Sequence, residues 1–419
     1  MFLTVSAVSL VLALAFVSIC CHKMLIDLIP FLGTRKFTSR VLPEWNKMVH
    51  TKPVSWRMRE IVIPCPDLLY SMMKYDISNG RGLRITLADA TYQNLGFYDQ
   101  NARCVQTKSY VAKGGSVIAV SEAAAADMSH APTLLRLPIE KGYVLYRVLV
   151  ENRSAISKTV ATQRSMAVDV IPFVPKTTTG KRPIRLADHL AAIFGALIVA
   201  VFVACVTLGW NIFSLSVYFT AAAAIGIITA ILIAARLRST SAVGTAADDA
   251  NIGSWSITYL QDQRSNLNLY AYLRFFFHGA LGLPSSEVIY ATAIKDFTAN
   301  ELRSDHSYVV EAPTVDFSCN WWSITVYGHD KFLVQNDADI YSVVSTSLAN
   351  NTNGLRIYLS RHKPAHNSAY SSLPWIPLAS GSVKEREFRL IFRAYLPDQS
   401  VWNPTAVQSL RLPTITRVD

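Results

Sequence analysis

Charge is what this sequence is short of. Asp, Glu, Lys and Arg make up 16% of its 419 residues and hydrophobic residues 51%, whereas an ordinary soluble domain carries about 25% charged residues. The shortfall is local. Residues 190–235 and 2–21 contain no Asp, Glu, Lys, Arg or His, which excludes a wholly water-soluble chain. Short reaction signatures are missing too: there is no GxSxG elbow, HExxH, P-loop or GxGxxG. The net charge of +11 comes without any Lys/Arg block or nucleic-acid-binding motif, so nucleic acid is not an expected partner. The basic residues flank the apolar runs instead, where anionic headgroups would attract them. Cysteine is scarce. Three of the six, Cys20, Cys21 and Cys205, lie in or at apolar segments. That leaves Cys65, Cys104 and Cys319, with no CxxC and no Cys/His ligand spacing. An exported domain would permit a Cys65–Cys104 bridge, and buried free thiols are the other reading.

"FLTVSAVSLVLALAFVSICC", residues 2–21, has the roughly 20 apolar residues that cross a bilayer as a helix. It has no basic start and Ile19 stands before Cys20, so an uncleaved anchor is the expected reading and a processed signal the alternative. The second uncharged run breaks at "LGWN", residues 208–211, into two spans. Lys181, Arg182 and Arg185 precede the pair and Arg236 and Arg238 follow it, which predicts a helical hairpin with both bases on one face. Ala192/Ala196 and Ala222/Gly226 supply small residues for close helix contact. One anchor plus one hairpin puts both soluble regions on the same side. The basic flanks favour the cytoplasm, although long domains translocate largely regardless of charge. With no ionisable residue in the spans, a transport path is not expected.

Outside the apolar runs the pattern is mostly extended. "GLRITLADA", "YQNLGFYD", "GSVIAVSE" and "YVLYRVLVEN" read as strands in the first half, and "WWSITVYGHD", "GLRIYLSRH" and "EFRLIFRAYLPD" in the second. A helix is predicted within residues 265–283. The expected fold is mainly β, sandwich-like with α+β additions. It is divided into an anchor (1–23), a first β-rich domain (41–175), a hairpin (190–235) and a second domain (250–419). The halves echo one another. "YQNLGFYDQN" aligns with "WWSITVYGHD", setting Tyr98 over Tyr327, and "LYRVLVENRS" aligns with "IFRAYLPDQS", setting Arg147 over Arg393 and Ser154 over Ser400. Two related units and chance likeness between generic strands both account for this. Tyr98, Arg147, Trp322, Tyr327 and Arg393 are the candidate binding residues. Each also has a structural reading, as a clamp for the arginines and as packing for the aromatics.

The run "NWWSITVYGHDKFLVQN…YSVVS…NTNGLRIYLSRHKP…EFRLIFRAYLPDQSVWNP" resembles the domain of unknown function 1214, as does the entry segment "LYAYLRFFFHGALGLPSSEVIYATA". Residues 53–171 resemble the domain of unknown function 1254 through "PDLLYSMMKYDISNG", "YQNLGFYD" and "APTLLRLPIEKGYVLYRVLVEN". The resemblance implies a bacterial inner-membrane protein, multi-pass, with both domains facing outward, against the tendency of the basic flanks. It also exposes departures. Arg361 and His362 stand where a His-Asp step is expected, Gln93 where a Trp is expected, and Asn268 where an Asp is common. Any chemistry or metal binding resting on those groups is not expected here.

No cofactor or metal is expected. His362 and His366 are separated by Pro364, which opposes the helix that would align them. Two functional classes follow. In the first, the protein is a non-catalytic envelope protein whose paired domains bind a partner protein or a lipid- or wall-derived ligand. In the second, it is a membrane-tethered hydrolase acting on an amphiphilic or glycan substrate, with His329 and Asp330 as the residues to test.

Overall fold

The structure is a computed structural model. It describes residues 2–59, 61, 63–112, 114–122, 124–125, 134–172, 211–239, 250–258, 269–279, 281–314, 316–348, 354–379, 387–401 and 410–419. The first half of the expected hairpin, with Ala192, Ala196 and Trp210, lies outside the described residues, as does Asn268.

Helix α1 runs from Phe2 to Val41, well past the expected end at residue 21. The reason is packing. Beyond His22 the apolar residues meet protein: Ile26 is buried with Ala230, Ala234 and Leu273, and Leu42, just past the helix end, packs with Phe37, Val41, Met72 and Tyr98. Helix α2 spans Ile156–Ser165, α3 Ile212–Ser239 and α4 Leu269–Gly279. Stretches of α1 and α3 are long and apolar enough to cross a membrane, Leu10–Val41 and Phe213–Arg238. The two run parallel. Contacts advance together from Ser18/Gly226 through His22/Thr229 to Ile26 with Ala230 and Ala234. Gly226 is required there, because a Cβ on it would lie 2.1 Å from the Ser18 carbonyl oxygen. His22 ties in the third helix, with Nε2 2.6 Å from the Tyr270 hydroxyl.

The rest is mainly β. In the first unit, one sheet has the order β1 (Val49–His50), β2 (Leu68–Asp76), β8 (Lys141–Leu149), β4 (Tyr92–Tyr98), β5 (Cys104–Val111). A second has the order β7 (Leu134–Leu137), β6 (Gly115–Ser121), β3 (Arg81–Leu87), β9 (Ala167–Pro172). Period-2 alternation builds the core between them. In β3, Leu83, Ile85 and Leu87 point inward while Arg84 and Thr86 are exposed, and they meet Leu69, Met73, Leu95, Phe97 and Tyr146.

The second unit repeats this plan. One sheet runs β10 (Ala250–Ile252), β11 (Trp255–Thr258), β12 (Val288–Ala293), β18 (Phe388–Pro397), β14 (Cys319–Gly328), β15 (Ser342–Val344). The other runs β17 (Trp375–Pro377), β16 (Leu355–Ser360), β13 (Tyr308–Ala312), β19 (Thr414–Arg417). Thus β2-β8-β4-β5 corresponds to β12-β18-β14-β15, and β7-β6-β3-β9 to β17-β16-β13-β19. Even the parallel pairings coincide, β6 with β7 and β16 with β17. Ser154 and Ser400 both sit in single 3₁₀ turns after β8 and β18. A third apolar cluster, with Cys65, Leu68, Tyr92, Leu149, Leu283, Val288, Trp321 and Tyr395, joins the units through their larger sheets.

Candidate functional site

Alternation on two equivalent strands creates the site. On β8, Val144, Tyr146 and Val148 enter the first unit's core, which turns Leu145, Arg147 and Leu149 to the opposite face. On β18, Leu390, Phe392 and Ala394 enter the second core, which turns Ile391, Arg393 and Tyr395 the other way. The two sheets meet on those faces, so each unit contributes one buried arginine to the junction.

Each guanidinium then reaches into the other unit. Arg147 Nη1 donates to Asn94 Oδ1 at 2.9 Å, and Nη2 donates to the Tyr98 hydroxyl at 2.8 Å and to the Leu281 carbonyl at 2.6 Å. Arg393 Nη1 donates to Thr325 Oγ1 at 3.2 Å, and Nη2 donates to the Tyr327 hydroxyl at 2.7 Å and to the Ile63 carbonyl at 3.2 Å. The tyrosines cross as well: Tyr98 donates to the Leu281 carbonyl at 2.9 Å and Tyr327 to the Pro64 carbonyl at 2.7 Å. Gly96 leaves room for this, since a Cβ there would lie 3.0 Å from Arg147 Nη1.

Carboxylates repeat the reciprocity. Asp67 of the first unit accepts from Ser342 Oγ of the second at 2.5 Å. Glu287 of the second accepts from Ser109 Oγ of the first. Burial pushes the Asp67 carboxyl up, against the pull of Ser342 and the Arg393 guanidinium. Burial does the same to Glu287 against Ser109 and Arg147. The Cys65 thiol, also buried, is pushed up to about 11. The phenols of Tyr98 and Tyr327 are raised by burial too, so both act as neutral hydrogen-bonding groups. Beside them Trp321 stacks on Tyr395 at 3.8 Å, with the Tyr92 ring edge-on to both at 5.3 and 5.6 Å.

Tyr98, Arg147, Tyr327 and Arg393 therefore converge. Trp322 does not. Adjacent strand residues face opposite ways, so Trp321 enters the junction while Trp322 packs in its own core, its ring 5.3 Å from Phe317 and 6.1 Å from Phe392. His329 and Asp330 do not pair as a reactive couple. Asp330 accepts from Arg59 Nη1 at 2.6 Å, and His329 Nε2 lies 3.8 Å from Glu387. His362 and His366 stand exposed on a turn. Cys65 and Cys104 are free and buried, so the alternative of a bridge between them falls away. Gln93 is buried, donating to the Ala88 carbonyl at 2.8 Å and accepting from the Tyr146 hydroxyl at 2.8 Å.

Tyr70 and Tyr290 escaped the sequence reading. They stand beside the arginines in register, Tyr70 opposite Arg147 and Tyr290 opposite Arg393. A signal existed: Asp67-Leu68-Leu69-Tyr70 and Glu287-Val288-Ile289-Tyr290 share an acid-apolar-apolar-Tyr order and carry both crossing carboxylates.

Two family descriptions match the chain: "Protein of unknown function (DUF1254)" over residues 45–170 and "Protein of unknown function (DUF1214)" over residues 287–399. The chain joins a DUF1254 domain to a DUF1214 domain. No curated protein matches this fusion. In fold the fusion is similar to the VPA0106 protein of Vibrio parahaemolyticus, with a TM-score of 0.61 at 14% identity, covering 97% of this chain and 100% of that one. An uncharacterised protein from Burkholderia cenocepacia gives a TM-score of 0.48 at 13% identity, covering 93% of this chain and 86% of that one.

Proposed function

We propose that the fusion is a membrane-tethered envelope protein with a binding or assembly role, its two β-rich units held as one body on one side of the bilayer. The observation that carries this is the reciprocal clamp. Arg147 and Arg393 commit their Nη donors to a tyrosine of their own unit and to a backbone carbonyl of the other. Such buried charge-assisted bonds fix geometry rather than await a substrate. The tether rests on α1 and α3, which are long and apolar and lie parallel, so both would deliver the chain to the same face. Outer-face residues such as Val11, Leu12, Phe213, Ile225 and Leu232 are exposed on these helices, as lipid-facing positions would be. The outward orientation follows from the resemblance to bacterial envelope proteins. The partner would be a protein or a lipid- or wall-derived ligand, recognised by the joined body rather than by one unit.

Co-expression of residues 42–172 with residues 250–419, followed by gel filtration, tests the pairing. A one-to-one complex is expected; two units that elute separately would overturn the reading.

A further inference from the structure

Two carboxylates at the junction are covered by the unit to which they do not belong. Asp67 and Glu287 stand directly before β2 and β12, at equivalent places in the repeated plan. Asp67 is 7% exposed and Glu287 is half-buried. Around Asp67 the second unit supplies Ser342 from β15, Ser323 and Tyr327 from β14 and Arg393 from β18. Its own unit adds Arg153 and the Cys65 thiol. Around Glu287 the first unit supplies Ser109 and Tyr110 from β5, Tyr92 from β4 and Arg147 from β8. Among the described residues neither carboxylate forms a close ion pair, so the two guanidiniums act on them at longer range. Separating the units would return both carboxylates to water.

What each carboxyl meets across the junction is a serine hydroxyl, Ser342 for Asp67 and Ser109 for Glu287. A hydroxyl can donate or accept. When the carboxyl is ionised the serine donates to it, and when it is protonated the acid can donate to the serine oxygen instead. The crossing bond therefore needs no charge, whereas burying the charge carries a desolvation cost. Arg393 and Arg147 offset part of that cost. Burial outweighs them, and both carboxyls are pushed up from their ordinary values of 3.8 and 4.5. A carboxyl raised in the joined body binds protons on joining. Its contribution to pairing is full below the ordinary value and is lost as pH rises through the raised one.

We infer that the junction is proton-linked: joining the two units takes up protons at Asp67 and Glu287, so the body is tightest in acid and loosens as pH rises. The inference rests on the paired-unit reading above, because each carboxylate is covered by the other unit. It adds a regulation to that reading. The arginine clamp sets the geometry of the pair, and the acidity of the compartment that both units face sets how firmly they hold.

The test uses the full-length protein in detergent, with a protease site placed between residues 241 and 249 and cleaved after purification. Association of the two pieces is measured by dilution, one piece carrying a fluorophore, in steps from about pH 4 to about pH 7. The expected result is a log dissociation constant that rises with pH, its slope above zero and at most about two, one for each carboxyl. Asp67→Asn and Glu287→Gln keep a carbonyl that accepts from the serine and cannot titrate. Each should lower the slope, and the double variant should flatten it; either single variant suffices where the double one does not fold. A wild-type slope of zero or below, with the pieces still joined, overturns the linkage alone and leaves the carboxylates as fixed counter-charges to Arg393 and Arg147. A positive slope that the variants leave unchanged overturns it too. Pieces that separate at every pH remove the paired-unit reading as well.

Discussion

Truncating Arg393 to alanine should weaken the attachment of the two units far more than a surface change would. The side chain makes three hydrogen bonds, to Thr325, Tyr327 and the Ile63 carbonyl. Tyr327 keeps its own bond to the Pro64 carbonyl at 2.7 Å, so its hydroxyl is not stranded. The Ile63 carbonyl loses its guanidinium donor, which costs about 1–3 kcal/mol for an acceptor left unsatisfied in a buried place. The emptied volume adds a cavity term, bringing the total to about 3–5 kcal/mol. Removing the desolvation cost of a buried guanidinium offsets part of this, so the lower end is expected. Arg393→Met fills the volume and leaves chiefly the carbonyl term, about 1–3 kcal/mol. Because one bond crosses between units, the loss should appear in their association. At 1.4 kcal/mol per decade, Arg393→Ala raises the dissociation constant of the 42–172 and 250–419 pair by about two to three orders of magnitude. Arg393→Met raises it by about one to two. Calorimetric titration of the purified units measures both. An alanine variant that binds within threefold of wild type would refute the clamp.

Other outcomes follow from single contacts. Gly226→Ala should destabilise the α1–α3 pair despite alanine's higher helix propensity, because the new methyl falls on the Ser18 backbone; thermal unfolding in detergent reads the sign. Asp76 responds to acid. Burial pushes its carboxyl up, but hydrogen bonds from Ser78 and Lys141 outweigh it and hold it at about 2. A folded value below the ordinary 3.8 contributes stability above pH 3.8 that is lost as pH falls towards 2. Asp76→Asn should remove that dependence, about 1–2 kcal/mol after screening, as seen in urea midpoints across pH 2–5. With burial raising Cys65 to about 11 and Cys319 to about 12, both thiols should resist maleimide at pH 8 until denaturant is added.

What could be read beforehand was the part that lives in local pattern. Alternation along "YVLYRVL" and "RLIFRAY" fixes which residues share a face, and the aligned arginines and tyrosines of the halves do occupy equivalent places. What could not be read depended on partners far away in the chain. Lys23 and Asp27 look like the watery end of an anchor. The helix continues because Asp27 meets Arg103 at 2.9 Å and Thr38 lies 3.2 Å from the Tyr143 hydroxyl. Trp321 and Trp322 are indistinguishable by type, and only the identity of the opposing sheet decides which one enters the junction. The carbonyls of Ile63 and Leu281 carry no side-chain signature at all. The crossing acids did leave a trace, in the shared order before Tyr70 and Tyr290.

In the proposed arrangement both β-rich units lie on one side of the membrane with their larger sheets in contact. A direct side-chain crossing between them, Asp67 to Ser342, supplies the test. Asp67→Cys and Ser342→Cys are introduced together with Cys65→Ala, and a protease site is placed between residues 241 and 249. Membranes carrying the protein are oxidised, then cleaved, and run on a non-reducing gel. The two fragments should migrate as one species until reductant is added; two separate fragments without reductant would contradict the paired arrangement.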